Sequence, residues 1–445
     1  MTIGLVSLGC AKNAVDLQVM AGHLLKAGHA LAPDPDHADA VLVNTCAFIE
    51  SAREEAVSEI LRACALKRAG AVKVVAVTGC FPQRYADRCA EMFPDVDVFL
   101  GVDTIDGIVG ALEKALAGKC SSAARCGAPH RVFDPPVPGL RLTGKAFAYL
   151  KVAEGCAHRC AYCAIPGIRG RYRSREPDAV VSEAEALLRS GARELNVIAQ
   201  DPMLYGVDLP ARSGAKPDLV RLLRRLDSLG GDFWIRVLYS YPSEITDGFL
   251  DWMRTSPHAV KYVDVPVQHT DPAVLKAMAR GSAVKATLEA AERIRAAVPG
   301  VTLRTTVMTG FPHETERRFR RLLDDVKRMR FDHLGAFAFS PEEGTPAAKM
   351  GGRPSRAEAE RRLREVMKAQ RAVWRAKAKE MLGGEYRALV VAPGVARMES
   401  QAPDVDGVTR FAVPRGSAAP EPGRFVTLRL LKADGYDFEG VLVAR

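Results

Sequence analysis

The stretch AFAYLKVAEGCAHRCAYC, residues 146–163, holds the decisive signal of this chain. It begins as a strand-like apolar run, 147–152, and passes into a loop carrying Cys156, Cys160 and Cys163. Three thiolates in so tight a loop can hold three irons of a 4Fe-4S cluster. Four-cysteine sites are the usual arrangement, so three cysteines leave one iron free for a ligand, as a catalytic cluster requires. The alternatives are a zinc site or coincidence. Zinc usually takes paired C-x2-C units, and no partner pair is visible here.

Outward from this loop, strand-like runs recur at 147–152, 194–199, 233–238, 260–265, 301–307 and 333–338. Helical patterns fall between them at 178–190, 217–229, 284–297 and 314–329. Six such units predict a (β/α)6 partial TIM barrel over 146–382. Unusual residues gather after the strands: Gln200-Asp201, Tyr241-Pro242, Gln268-His269, Gly310-Phe311-Pro312 and Ser340–Glu343. In a βα barrel that face carries the active site, and the Cys156 loop belongs to it. His158 and His269 lie near the same face and read as structural hydrogen-bond partners.

Residues 1–118 show a shorter strand–helix alternation, predicting a parallel α/β sheet domain. Cys10, Cys46 and Cys80 each follow a predicted strand, at one edge of the sheet, where ligands normally bind. They read either as a second cluster site or as three buried cysteines that end strands. Cys64, Cys89, Cys120 and Cys126 read as small apolar filler. A Pro- and Gly-rich linker spans 119–145, a long basic helix 355–381, and short alternating strands over 383–445 predict a small β-barrel.

The composition supports a globular chain of about three domains, with 445 residues, 48% hydrophobic and 26% charged. No apolar run reaches the roughly 18 residues of a membrane helix, and no basic residue precedes the first apolar run, so a soluble cytoplasmic protein with reduced thiols is expected. The net charge of +10 is uneven: residues 119–380 carry +15, the first 118 carry −5, and 381–445 carry zero. The basic centre suits RNA, a ribosome or an anionic cofactor, or is a solvated helix surface.

The segments SLGCAKNAVD (7–16), NTCAFIE (44–50), GC (79–80) and EGCAHRCAYCAIPGIRGRYRSR (154–175) continue with VPVQH (265–269), GFPHET (310–315) and FSPEEGT (339–345). Together they resemble the methylthiotransferases among the radical S-adenosylmethionine (radical SAM) enzymes, in that family's order along nearly the whole chain. The LGC-x-KN opening, NTCAFIE, and APDVDG (402–407) and ADGYDFEG (433–440) in a TRAM-like tail resemble the RimO-like branch. That branch modifies an aspartate in the twelfth protein of the small ribosomal subunit. Three positions depart from the pattern: His313 replaces a glycine, Asp271 a serine, and Pro202-Met203 a pair of small hydroxyl residues.

The resemblance implies two 4Fe-4S clusters, on Cys156/Cys160/Cys163 and on Cys10/Cys46/Cys80. The first would bind S-adenosylmethionine and cleave it to a 5′-deoxyadenosyl radical. The second would hold the sulfur that is methylated and transferred. Tyr162 resembles the aromatic near adenine, and Gln200 and Gly310 are expected cofactor contacts. An external electron donor and a sulfur donor are implied as partners, and no membrane. A transfer RNA adenosine methylthiotransferase and a non-catalytic iron–sulfur protein that binds ribosomes are the alternatives. The neutral tail, with Asp404, Asp406, Asp434, Asp437 and Glu439, suits a basic ribosomal protein better than a polyanion.

Overall fold

The computed structural model describes residues 1–119, 124, 126–144, 146–211, 216–416 and 418–443. Cys120 lies outside the described residues. The N-terminal part runs β1 (Thr2–Ser7), α1 (Ala11–Lys26), β2 (Ala30–Leu31), β3 (Ala40–Thr45) and α2 (Glu50–Arg68). It continues with β4 (Val74–Gly79), α3 (Cys80–Met92), β5 (Val98–Leu100) and α4 (Ile108–Leu116). The strands form a parallel sheet in the order β2-β1-β3-β4-β5. β3 and β4 are buried along their whole length because helices cover both faces. That is why they read as continuous apolar runs rather than alternating ones. β2 was not expected from the sequence, since two residues carry no period.

The middle of the chain runs β6 (Phe147–Lys151), β7 (Ala153–Glu154), α5 (Ile165–Arg169), β8 (Arg173–Ser174), α6 (Pro177–Arg189) and β9 (Glu194–Ile198). Next come α7 (Leu219–Asp227), β10 (Trp234–Val237), α8 (Asp247–Thr255), β11 (Tyr262–Asp264) and α9 (Pro272–Ala277). α10 (Val284–Ala297), β12 (Thr302–Thr309), α11 (Glu316–Met329) and β13 (His333–Ala338) complete it. β6, β9 and β10 form one parallel sheet and β11, β12 and β13 another. An isolated parallel bridge between Ile235 and Ala259 joins them. Among the described residues no ladder closes β13 onto β6, so the six strands make an open barrel. Helices bury their leucines against it, as α7 does with Leu219, Leu222, Leu223 and Leu226.

α12 (Arg356–Met381) leads into a closed barrel of β14 (Glu385–Ala392), β15 (Val395–Met398), β16 (Thr409–Ala412), β17 (Phe425–Asp434) and β18 (Asp437–Leu442). Ser355 caps the helix by accepting the Glu358 N–H at 3.2 Å. α12 buries Ala359, Arg362, Val366, Gln370, Trp374 and Ala378, one contact stripe at three- and four-residue spacing.

The loop between β15 and β16 seats itself against the N-terminal ends of the central strands. Asp406 accepts hydrogen bonds from Tyr262 Oη (2.7 Å), Arg304 Nη1 (2.9 Å) and the Ala402 N–H (2.9 Å). Asp404 accepts from Tyr149 Oη at 2.5 Å, and Arg236 donates to the Glu399 carbonyl at 2.7 Å. Arg397 pairs with the buried Glu194, which also accepts from Arg236 Nε at 2.7 Å. The expectation that these carboxylates are available at the tail surface is therefore corrected in part. Asp406 is 1% exposed and holds the tail to the central barrel. Asp437 is paired with Arg410, and Glu439 with Lys432. Asp404 and Asp434 stay exposed without a cation partner among the described residues, so counting carboxylates as surface charge fails only for the three that are paired.

Candidate active site

The Cys156–Cys163 loop leaves β6 and β7 at the opposite, C-terminal end of the barrel. Backbone bonds pin it: Cys156 N–H to the Gly170 carbonyl (3.2 Å), Ala161 N–H to Met278 (3.0 Å), and Ala347 N–H to Ala161 (2.8 Å). Burial pushes the Cys156 thiol up to about 11 and Cys163 up to about 12, each also feeling Cys160. His158 Nε2 lies 2.6 Å from Asp201 Oδ2, and its ring stacks on Tyr241 at 3.8 Å. The other face of the site carries Arg280. It lies 4.1 Å from the Tyr241 ring centroid, donates to the Pro266 carbonyl at 2.9 Å and approaches Cys160 Sγ at 3.9 Å. Residues following β6, β9, β10 and β11 thus meet at one place.

Five buried polar atoms there have no hydrogen-bond partner: Gln200 Oε1, Ser240 Oγ, Gln268 Oε1, Thr270 Oγ1 and Arg280 Nε. Native proteins rarely leave such atoms unpaired, so this group fits a polar ligand in the pocket. Tyr239 and Gln268, beside it, hold left-handed backbone angles of φ 73° and 65°. Strain of this kind concentrates at functional sites.

The second triad comes from three adjacent strands. Cys10 precedes α1, Cys46 follows β3, and Cys80 begins α3 directly after β4. Gly9, at φ 91°, must be glycine, because a Cβ there would lie 2.7 Å from Cys46 Cβ. Asn13 ties the turns together, donating to Leu8 (3.2 Å) and Thr45 (2.9 Å) carbonyls and accepting from Cys80 Sγ at 3.5 Å. Burial raises Cys80 to about 12 against the pull of Arg169. Cys10 is exposed; the protein packed around it acts to raise its thiol, but Lys12 and Arg169 outweigh that effect and hold it below its ordinary value.

A buried charge network runs from Cys80 to Gln200, which follows β9 beside the first pocket. Arg169 Nη2 lies 3.3 Å from Cys80 Sγ, while its Nη1 pairs with Asp16 (2.6 Å) and Glu154 (3.0 Å). Lys151 also pairs with Glu154, at 2.9 Å, and Glu154 accepts from Gln200 Nε2 at 2.6 Å. Burial alone would raise Glu154, but Arg169 and Lys151 overcome it and hold the carboxyl well below the usual range. Gln200 therefore connects the first pocket, through Glu154 and Arg169, to Cys80. Lys12 completes the second site, its Nζ 3.4 Å from the centroid of Tyr239.

Of the other expected site residues, Tyr162 lies edge-on to Phe311 at 6.3 Å. It lines a cleft of about 260 Å³ with Phe48, Ile49, Met308 and Phe339. Gly310 has a packing reason to be glycine: its φ is 76°, and a Cβ would sit 2.3 Å from Ala359 Cβ on α12. Asp271 caps α9 by accepting from Ala273 (3.0 Å) and Val274 (3.3 Å) N–H, as a serine could. His269 is buried, 3.3 Å from Glu314, a structural pairing. Among the described residues no three His, Cys, Asp or Glu side chains gather as a single metal ion needs. A cluster spreads its thiolates over separate irons and asks for wider spacing. Lys12, Arg169, Glu154 and Arg280 escaped sequence reasoning. Lys12 and Arg169 lie inside the quoted motifs, but only the fold pairs them.

Three family models match the chain: Uncharacterized protein family UPF0004 over residues 2–101, Radical SAM superfamily over 150–326, and TRAM domain over 389–443. The chain is 41% identical to the ribosomal protein uS12 methylthiotransferase RimO of Syntrophus aciditrophicus, over 98% of this chain and 97% of that one. It is 39% identical to the RimO of Geobacter sulfurreducens, over 99% and 98%. The radical S-adenosylmethionine methyltransferase TsrM from Kitasatospora setae shares the fold with a TM-score of 0.54 at 16% identity, covering 78% of this chain and 73% of that one. The cobalamin-dependent radical enzyme OxsB aligns with a TM-score of 0.53 at 13% identity, over 78% and 54%. No described helix is long and apolar enough to cross a membrane.

Proposed function

Because the chain belongs to the RimO family of ribosomal protein uS12 methylthiotransferases, we propose that it adds a methylthio group to the β-carbon of an aspartate in that protein. The observation that carries this reading is the pair of separate cysteine triads, with Arg169, Glu154 and Gln200 leading from Cys80 to the pocket beside the first. Cys156, Cys160 and Cys163 would hold one 4Fe-4S cluster, and Cys10, Cys46 and Cys80 a second. The unpaired atoms of Gln200, Ser240, Gln268 and Thr270 would hydrogen-bond S-adenosylmethionine beside the first. Bound there, these groups supply the radical that removes hydrogen from the substrate carbon and the methylated sulfur that replaces it.

The chain's own residues bind, orient and exclude water. Arg280 places a fixed cation beside Cys160, where it offsets the negative charge of a thiolate-ligated site. Arg169 does the same beside Cys80, and Asp16 and Glu154 fix its orientation. The cleft along Tyr162 and Phe48 would admit the substrate between the two triads. An external electron donor and a sulfur donor would serve the reaction in the cytoplasm, where the ribosomal substrate is made.

The test is incubation of anaerobically reconstituted, reduced enzyme with S-adenosylmethionine and either purified uS12 or transfer RNA, read by mass spectrometry. A methylthiolated aspartate in uS12 is expected. Modification of transfer RNA with uS12 untouched would overturn the reading, and so would absence of 5′-deoxyadenosine in every reaction.

A further inference from the structure

We propose that Lys12 recognises the carboxylate of the substrate aspartate, an inference that rests on the function proposed above and specifies how its substrate is selected. Lys12 follows Cys10 by two positions in the first turn of α1. Its ammonium lies 3.4 Å from the Tyr239 ring centroid. No carboxylate among the described residues lies within ion-pair distance of it. The cations around it are committed: Lys151 and Arg169 share Asp16 and Glu154, and Arg304 holds Asp406. Asp264 faces the same space and stays closer to Arg304, at 3.8 Å. Arg280 lies at the other triad, against Cys160 and Tyr241.

Lys12 is thus a positive charge held beside the Cys10/Cys46/Cys80 site by an aromatic face, which positions an ammonium without neutralising it. Tyr239 presents that face from a left-handed backbone, φ 73°, at the end of β10.

The chemistry of the substrate requires a cation at this place. The carbon that receives sulfur is bonded directly to the carboxyl carbon. When it approaches the sulfur-bearing triad, its carboxylate arrives within a few ångström of the same triad. A carboxylate buried there without a partner would be strongly disfavoured. Lys12 provides the partner, and by the same means excludes asparagine and an uncharged nucleobase, neither of which compensates the desolvation of its ammonium.

The experiment measures binding of uS12, carrying aspartate or asparagine at the target position, to the full-length reconstituted enzyme under anaerobic conditions. The enzymes are wild type, Lys12→Met, which keeps length without charge, and Lys12→Arg. Wild type should prefer the aspartate form by about tenfold or more, the scale of a charge-assisted hydrogen bond. Lys12→Met should bind the two forms within about twofold of each other, and Lys12→Arg should keep part of the preference. Iron content is measured in all three, because Lys12 supplies no ligand but holds the Cys10 thiol low, and the aspartate-to-asparagine ratio is taken within each loaded enzyme. A wild type without preference overturns the proposal, and this comparison needs no variant to fold. Lys12→Met with an intact preference also overturns it. If wild type modifies uS12 and either result is found, the role of Lys12 alone is refuted. If wild type ignores uS12 and modifies transfer RNA, the functional reading falls with it.

Discussion

Replacing Asp406 by Ala should cost far more stability than any other acidic substitution in the tail. Asp406 is 1% exposed and satisfies Tyr262 Oη, Arg304 Nη1 and the Ala402 N–H, with His333 Nδ1 at 3.4 Å. Removing it leaves the guanidinium of Arg304, itself 17% exposed, without its best partner. Breaking a buried pair in this way costs about 3–5 kcal/mol. For a cooperative unit of about 300 residues, the barrel with its tail, that corresponds to a fall in Tm of roughly 5–8 °C. Glu439→Gln is the control, because its pair with Lys432 is exposed on both sides and worth about 0–1 kcal/mol at most. Differential scanning fluorimetry of the reconstituted full chain measures both, and limited proteolysis reports whether the tail detaches. A Tm within a degree of wild type for Asp406→Ala would refute the view that this loop holds the tail against the barrel. So would equal losses in the two variants.

Two further outcomes are expected. Anaerobic reconstitution should load two clusters per chain, and replacing Cys156, Cys160 and Cys163 together by Ala should halve the bound iron; complete loss would show that Cys10, Cys46 and Cys80 hold none independently. Asp264 should make stability depend on pH: burial raises its carboxyl to about 6, above its unfolded value, with Arg304 and Lys12 opposing and Asp406 adding to the rise. The folded chain therefore binds the proton more tightly, and wild type should lose stability as pH rises through the window up to about 6, then level off. Between pH 5 and pH 7 that amounts to about 1 kcal/mol, which Asp264→Asn should not show in parallel denaturation series; identical pH profiles would remove the burial argument.

Much of the architecture is legible because its signals are local. The apolar runs 40–43 and 72–77 announce the buried parallel strands β3 and β4, and the leucines of α7 announce a helix by their spacing. The contiguous cysteines 156, 160 and 163 are legible for the same reason, and Cys10, Cys46 and Cys80 become legible once each is placed at a strand end. The small barrel over 383–445 is legible from its short alternating strands, but the bounds of β15, β16 and β18 are not, since pairing between distant residues sets them. Buried charge is the least legible property of all. Asp406 and Glu439 look alike in composition, yet one is fixed by Arg304, 102 residues away, and the other merely faces Lys432 on the surface. Glu154 and Arg169 stand 15 residues apart, and nothing in their spacing says that Gln200 and Cys80 meet at their two ends. Charges that a sequence reading assigns to solvent, and so to partners, here organise the two ends of one barrel. At the N-terminal end of the strands they attach the tail, and at the C-terminal end they run from Cys80 to the pocket beside the other cysteine site. Lys12 acts on Cys10 and Asp264 through space but has no carboxylate within ion-pair distance among the described residues, which is the basis for assigning its charge to a substrate.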